Sequence, residues 1–335
     1  MSTVRAFMER HFLHFNSREA VDAAKAYEAH IERGGKMMVT LAGAMSTARI
    51  GRILGRLIRK GYVHAICCTG ANLEEDLFNL LAANDYKIIE DYRGLRAEDE
   101  KALYDQGYNR VTDTCIPETI MRHLEERLIT VWSEAAKKGE RKFESEFLFE
   151  VLGDASLEKH YQIPKDDSWM LAAKEVGIPV YSPGWEDSTT GNMFAAAVWR
   201  GDVGNHQVVK SGTEQMEHLL RWYLDASGYN AMKKSGAAKP AHPSVGFFQV
   251  GGGIAGDFAI CAVPAMVQDL EMTDCPFWGY FAQISDAVTS YGGYSGAVPN
   301  EKITWGKLEV DTPKYMIQSD ATIVAPLIFA YLLGD

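Results

Sequence analysis

The chain has little of what marks the more obvious functional classes. Its 335 residues include only five cysteines, Cys67, Cys68, Cys115, Cys261 and Cys275, with no C-x-x-C pair and none at metal spacing from a histidine. An odd, scattered set excludes a disulfide framework and suits small buried hydrophobes in a reducing compartment. The nine histidines form no H-E-x-x-H cluster, and His11 and His14 have no third ligand nearby, so no metal is expected. Positive charge is short too. Against 45 Asp and Glu stand 34 Lys and Arg, a formal charge of −11, the opposite of a nucleic-acid binder's footprint. Long apolar runs are absent: "ATIVAPLIFAYLLGD" is shorter than a bilayer and is interrupted by Pro326. The opening "MSTVRAFMERHFLHF" carries charges where a secretory core would be apolar. The expectation is a soluble, cytoplasmic protein that binds neither nucleic acid nor membrane.

What is present is apolar content, 47% of the chain, and an alternating rhythm. "NSREAVDAAKAYEAHIERGG" reads as a helix capped by Asn16 or Ser17 and stopped by Gly34–Gly35. "KMMVTLAGAMS" then gives a strand and a small-residue turn, and "TARIGRILGRLIRKG" a helix. "YVHAICCTGAN" and "LEEDLFNLLAAN" repeat the unit. The stretch from about 90 to 165 reads as charged and helical. The rhythm returns at "IPVYSPGWEDSTTGNM", "SVGFFQVGGGIAGDF" and "SDATIVAPLIF". Strand, turn and helix in succession predict an α/β fold: one doubly wound, mostly parallel Rossmann-like sheet with helices on both faces. A single domain over 1–335 is expected, with a helical segment at 1–35. Its small polar turns would gather at the carboxyl edge of the sheet, where ligands bind.

Three stretches could carry chemistry. "GGGIAG", Gly251 to Gly256, satisfies G-x-G-x-x-G between a strand and a helix; it either cradles a pyrophosphate or only turns the chain. "TGANLEED" sets Glu74, Glu75 and Asp76 in the first turns of a helix, where acids suit the helix dipole but can also take a proton. "EKITWGKLEV" places Glu301, Trp305 and Lys307 in the same parity, so a strand would put all three on one face. That lysine is either solvated or a nucleophilic amine with an aromatic and a carboxylate beside it.

In order along the chain, "TGANLEEDL", "IPVYSPGWEDSTTGNM", "QVGGGIAGD", "YSGAVPNEKITWGKLEVD" and "SDATIVAPL" resemble the deoxyhypusine synthase family. "HFLHFNSREA" and "LAGAMSTA" resemble its bacterial synthase-like branch. The resemblance implies an NAD-dependent alkyl transferase that moves an aminobutyl group between amines through a lysine imine. Lys307 would be the nucleophile, with its pKa lowered by desolvation beside Trp305. Glu75 and Glu301 would bind amine ends or shuttle protons. Trp305 and Ser295 would contact the amine. Thr69, Glu74, Asp187, Gly251, Gly252, Gly253, Asp320 and Ala321 would hold NAD. A homotetramer with sites at subunit interfaces is implied.

The departures are at the amine site. Asn192 and Tyr294 stand where the protein-modifying members carry aspartates, and Asp257 where they carry a histidine. The pattern of cationic ends is therefore different. It favours small polyamines such as putrescine or spermidine, with transfer of the homospermidine synthase type. A true deoxyhypusine synthase and a non-catalytic NAD- or amine-binding homologue remain the alternatives.

Overall fold

The computed structural model describes residues 3–288 and 292–335. Its strands are β1 (Met37–Leu41), β2 (Ala65–Cys68), β3 (Lys87–Ile88), β4 (Tyr108–Val111), β5 (Thr114–Pro117), β6 (Val180–Tyr181), β7 (Gly246–Val250), β8 (Tyr280–Ser285) and β9 (Lys314–Gln318). Six form one sheet in the order β6-β2-β1-β7-β8-β9, every pair parallel. Numbered within the sheet this is 3-2-1-4-5-6, and the order reverses between β1 and β7. The expected doubly wound α/β fold is what the chain adopts.

Period-2 alternation divides the sheet between two cores. Met37, Val39 and Leu41 of β1, with Phe248 and Val250 of β7, point into the larger core. There they meet helices Phe15–Glu32, Gly51–Arg59 and Ala321–Leu333. Met38 and Phe247 point the other way, toward Leu219, Tyr223, Ile260 and Trp278. Both faces are apolar, so the strands read as continuous hydrophobic runs.

Three local expectations are corrected. The second helix starts at Phe15 with His14 as N-cap and no side-chain cap. Asn16 instead pairs with both backbone groups of Gln318 at 3.1 Å, tying that helix to edge strand β9. The charged middle is not all helical, because β3, β5 and β4 form a small antiparallel sheet. Its hairpin turns at Thr112, whose φ is +55°, in place of the usual glycine. Finally, "EKITW" is not a strand: Glu301–Thr304 is a helical turn, and Gly306 at φ +65° reverses the chain into Lys307. Only glycine adopts that conformation without strain. The three side chains meet through a turn and not through strand parity.

Candidate functional site

The reversal point places two small-residue segments side by side. β1 runs into Ala42–Gly43 and β7 into Gly251–Gly253, with the Ala42 amide donating to Val250 O at 3.0 Å. A Cβ on Gly251 would lie 2.8 Å from Ala42 Cβ, and one on Gly252 1.7 Å from Ser295 Oγ. Gly251 and Gly253 have φ of +82° and +63°. Ser295 Oγ accepts from the Gly253 amide at 3.0 Å. The glycine run is thus wedged between the segment after β1 and the Tyr294–Ser295 turn.

Two paired strand residues hold that turn. Gln249 of β7 and Gln283 of β8 are register partners and fully buried. Gln249 accepts from the Tyr294 hydroxyl at 2.8 Å and donates to Gly251 O at 2.9 Å, while Gln283 donates to Ser295 O at 2.5 Å. Sequence reasoning passed over both. Their signal was one amide at the same place in two successive apolar strands, where a buried polar group has to be satisfied.

On one side lies a cavity of about 310 Å³ lined by Asp257, Tyr294, Glu301, Lys302, Trp305 and Lys307. Lys307 is 6% exposed. Its Nζ lies 3.5 Å from Asp257 Oδ1, 5.6 Å from the Tyr294 ring centroid and 5.8 Å from that of Trp305. Its amide donates to Lys302 O at 3.0 Å, and its carbonyl accepts from the Trp278 amide at 3.2 Å, so the backbone is fixed on both sides. Trp305 is 61% exposed and forms a rim. Lys302, which sequence reasoning missed, is 3% exposed; burial, with the charge of Lys307, pushes its amine down to about 8. The cavity therefore sets two carboxylates against two lysines.

On the other side a cavity of about 650 Å³ is lined by Ala44, Thr47, Arg49, Thr112, Asp320 and Thr322. Asp320 caps helix Ala321–Leu333 through Thr322, at 2.7 Å. Arg49 has a φ of +60°, and its Nε is buried with no hydrogen-bond partner among the described residues. An unsatisfied guanidinium nitrogen beside a cavity suits an anionic ligand.

The remaining expected residues do not line these two cavities. Thr69 caps helix Gly70–Ala82 and donates to Gly43 O at 2.7 Å. Both oxygens of Glu74 are engaged, by the amides of Thr189 at 3.0 Å and Thr190 at 2.7 Å. Asp187 is exposed on the turn Trp185–Asp187. Asn192 donates to Ser188 O at 2.6 Å and lines a separate cavity of about 370 Å³ with Glu186 and Lys210. Within one chain, Asp257 and Tyr294 share the lysine cavity and Asn192 does not.

Glu75 accepts from the Thr47 hydroxyl, and burial pushes its carboxyl up to about 7. The folded chain keeps that proton to about pH 7, while an ordinary glutamate loses it near 4.5. The resulting stability is full below pH 4.5 and lost as pH rises through 7. Glu75→Gln cannot titrate. In urea unfolding at pH 4.5 and pH 8 it should lose less stability than the parent, by about 3 kcal/mol; an equal loss would place the carboxyl in water.

Among the described residues no group of His, Cys, Asp and Glu could hold a metal ion, and no helix is long and apolar enough to cross a membrane. Comparisons with known proteins identify the family. A "Deoxyhypusine synthase-like protein" of Nostoc punctiforme is 29% identical over 98% of this chain and 79% of that protein. "Probable deoxyhypusine synthase 1" of Archaeoglobus fulgidus is 26% identical over 95% of this chain and 90% of that one. The "Crystal Structure of a putative deoxyhypusine synthase from Entamoeba histolytica" shares the fold. Its TM-score is 0.55 at 12% identity, covering 95% of this chain and 88% of that one. The family model "Deoxyhypusine synthase" matches residues 7–332, so the chain belongs to the deoxyhypusine synthase family.

Proposed function

We propose that this chain transfers an aminobutyl group between small amines with NAD as its cofactor, in the manner of homospermidine synthesis. The observation that carries the reading is the enclosed Lys307, seated with Asp257, Tyr294 and Trp305 in a cavity that adjoins the glycine run. The family is one of transferases that use NAD.

The residues fit a dinucleotide. Gly251 packs on Ala42, whose continuation lines the larger cavity, and Gly252 packs on Ser295, whose neighbour Tyr294 lines the smaller. The run sits at the reversal point, where such ligands bind, packed on neighbours of residues that line each cavity. Gly251–Gly253 would hold the pyrophosphate side, and Asp320, Ala321 and Arg49 the larger cavity. Bound NAD supplies a reversible hydride acceptor.

The chain's own residues do the rest. Trp305 and Tyr294 offer aromatic faces to an alkylammonium, and Asp257 and Glu301 offer carboxylates to its charge. Lys307, as free amine, adds to the donor carbon when that carbon is at imine level. The donor's other amine leaves with the proton that Lys307 gives up, and the aminobutyl group stays on Lys307 as an imine. An acceptor amine then displaces the lysine by the reverse exchange, which leaves the product an imine. The hydride that bound NAD would have taken from the donor would reduce it to the aminobutylated amine and restore NAD. Asp257 lies within reach of Lys307 Nζ to hold the proton between these steps.

The test is mass spectrometry of products after incubation with NAD, a panel of diamines and triamines, and a hypusine-precursor protein. The expected result is an aminobutylated diamine with NAD recovered intact. Transfer to the protein lysine alone would select the true deoxyhypusine synthase reading. Stoichiometric release of nicotinamide would end the transferase reading.

A further inference from the structure

Backbone strain gathers at the larger cavity. Among the described residues five positions other than glycine have positive φ, and two of them, Arg49 at +60° and Thr112 at +55°, line this one cavity. A left-handed backbone is costly for a long or branched side chain, and such strain persists where a ligand site needs it. Neighbouring bonds hold the Arg49 turn in place. Its amide donates to Ser46 O at 2.9 Å, and the next amide, of Ile50, donates to Met45 O at 3.2 Å. Ser46 is itself fixed, donating its amide to Asn72 Oδ1 at 2.9 Å and its hydroxyl to Asn72 O at 2.7 Å. The turn is over-determined, and what it presents is the Arg49 side chain.

That side chain is half-buried and unmatched. Its Nε has no hydrogen-bond partner, and its guanidinium forms no ion pair, among the described residues. The carboxylates that share the lining bond to threonines instead. Asp320 accepts from the Thr322 amide and hydroxyl, both at 2.7 Å, and Asp113 from the Thr114 hydroxyl at 2.9 Å. A guanidinium is a rigid fork of donors whose best partners are carboxylate and phosphate. Carboxylates suit the hydroxyls of a ribose and the fork suits a phosphate, so the lining fits a phosphorylated nucleoside.

We propose that Arg49 is a phosphate-binding residue, held on a strained turn so that its guanidinium takes a phosphate group of the bound dinucleotide. The inference rests on the NAD reading above. It goes further by naming a residue outside the motifs of the resemblance and the group that this residue binds. The phosphate is either part of the pyrophosphate or a 2′-phosphate on the ribose, two sources of one chemistry.

Calorimetry with NAD, NADP and adenosine, in the absence of amine, tests it. Arg49→Gly suits a left-handed backbone, so its unliganded melting temperature should match or exceed that of the parent. Its dinucleotide affinity should nevertheless fall at least about tenfold, the scale of a hydrogen bond to a charged group, with adenosine bound as by the parent. Arg49→Lys keeps the charge without the fork and should lose less. Equal losses for NAD and NADP put the group at the pyrophosphate, and a loss confined to NADP puts it at the 2′-phosphate. Unaltered affinity for both dinucleotides in folded Arg49→Gly, or an equal loss for adenosine, would overturn the proposal. So would a lowered melting temperature with affinity retained, which would make Arg49 a structural residue. The two readings fail separately. Aminobutyl transfer with unaltered dinucleotide affinity in Arg49→Gly ends this inference alone. Affinity lost in Arg49→Gly, with no transfer by the parent, ends the catalytic reading alone.

Discussion

Lys307→Ala should lose aminobutyl transfer by a factor on the order of 10⁴ or more, the scale of removing a covalent nucleophile. Borohydride trapping of the parent with NAD and a diamine should attach the alkyl group to one lysine, and the variant should trap nothing. The folding cost should be small, because Asp257, the ionic partner of Lys307, has a side chain that is 50% exposed and can turn to water. The rival to exclude is only five residues away in sequence. Burial brings the Lys302 amine down to about 8, so a free amine is accessible there as well. Its position argues against it: its Nζ is held by Ala297 O between two rings. Peptide mapping that finds the label on Lys302, or a Lys307→Ala protein at full activity, would overturn the assignment of Lys307.

How much of this was legible before the structure depends on how local each signal was. The parallel sheet was legible because apolar strands, small-residue turns and amphipathic helices alternate in the chain itself. The lysine cavity was legible only in membership. Glu301, Trp305 and Lys307 do line one cavity, but a helical turn and Gly306 bring them together, where strand parity was the stated reason. Pairings across the sheet left no such local mark. Gln249 and Gln283 are each unremarkable in their own strands and become a support for Tyr294 and Ser295 only when β7 and β8 register. Lys302 was invisible for a related reason. A lysine beside a glutamate at a loop reads as solvent-facing, and the rings that enclose it, Phe281 on β8 and Tyr294, lie elsewhere in the chain. Glu74 shows the converse. The family resemblance implied an NAD contact for it, and its own acidic run gave no sign that the amides of Thr189 and Thr190, at the start of a distant helix, bond its two oxygens.

The glycine run gives the second large expected effect. Gly252 has φ −149° and ψ −140°, and φ alone does not require glycine. Space does: its Cβ would fall 1.7 Å from Ser295 Oγ, 2.4 Å from Ser295 Cβ and 3.0 Å from Ser295 Cα. Rotating the serine side chain cannot relieve a contact with its backbone, so Gly252→Val must push the Tyr294–Ser295 turn away from the run. That displacement would break the Gly253 amide bond to Ser295 Oγ and strain the Gln249 and Gln283 anchors. The variant should therefore lose NAD binding beyond detection and weaken amine binding with it. Gly253→Ala separates backbone approach from collapse of the turn. Its φ of +63° imposes strain of about 1 to 2 kcal/mol, but its Cβ would meet nothing within 4 Å. The added methyl points into open space where the pyrophosphate would approach. Its melting temperature should fall by a few degrees, and NAD affinity by about tenfold or more with putrescine affinity retained. Calorimetry with NAD alone reads both variants. NAD affinity equal to the parent in folded Gly253→Ala and in Gly252→Val would mean that the run only turns the chain, and would move the cofactor away from the reversal point.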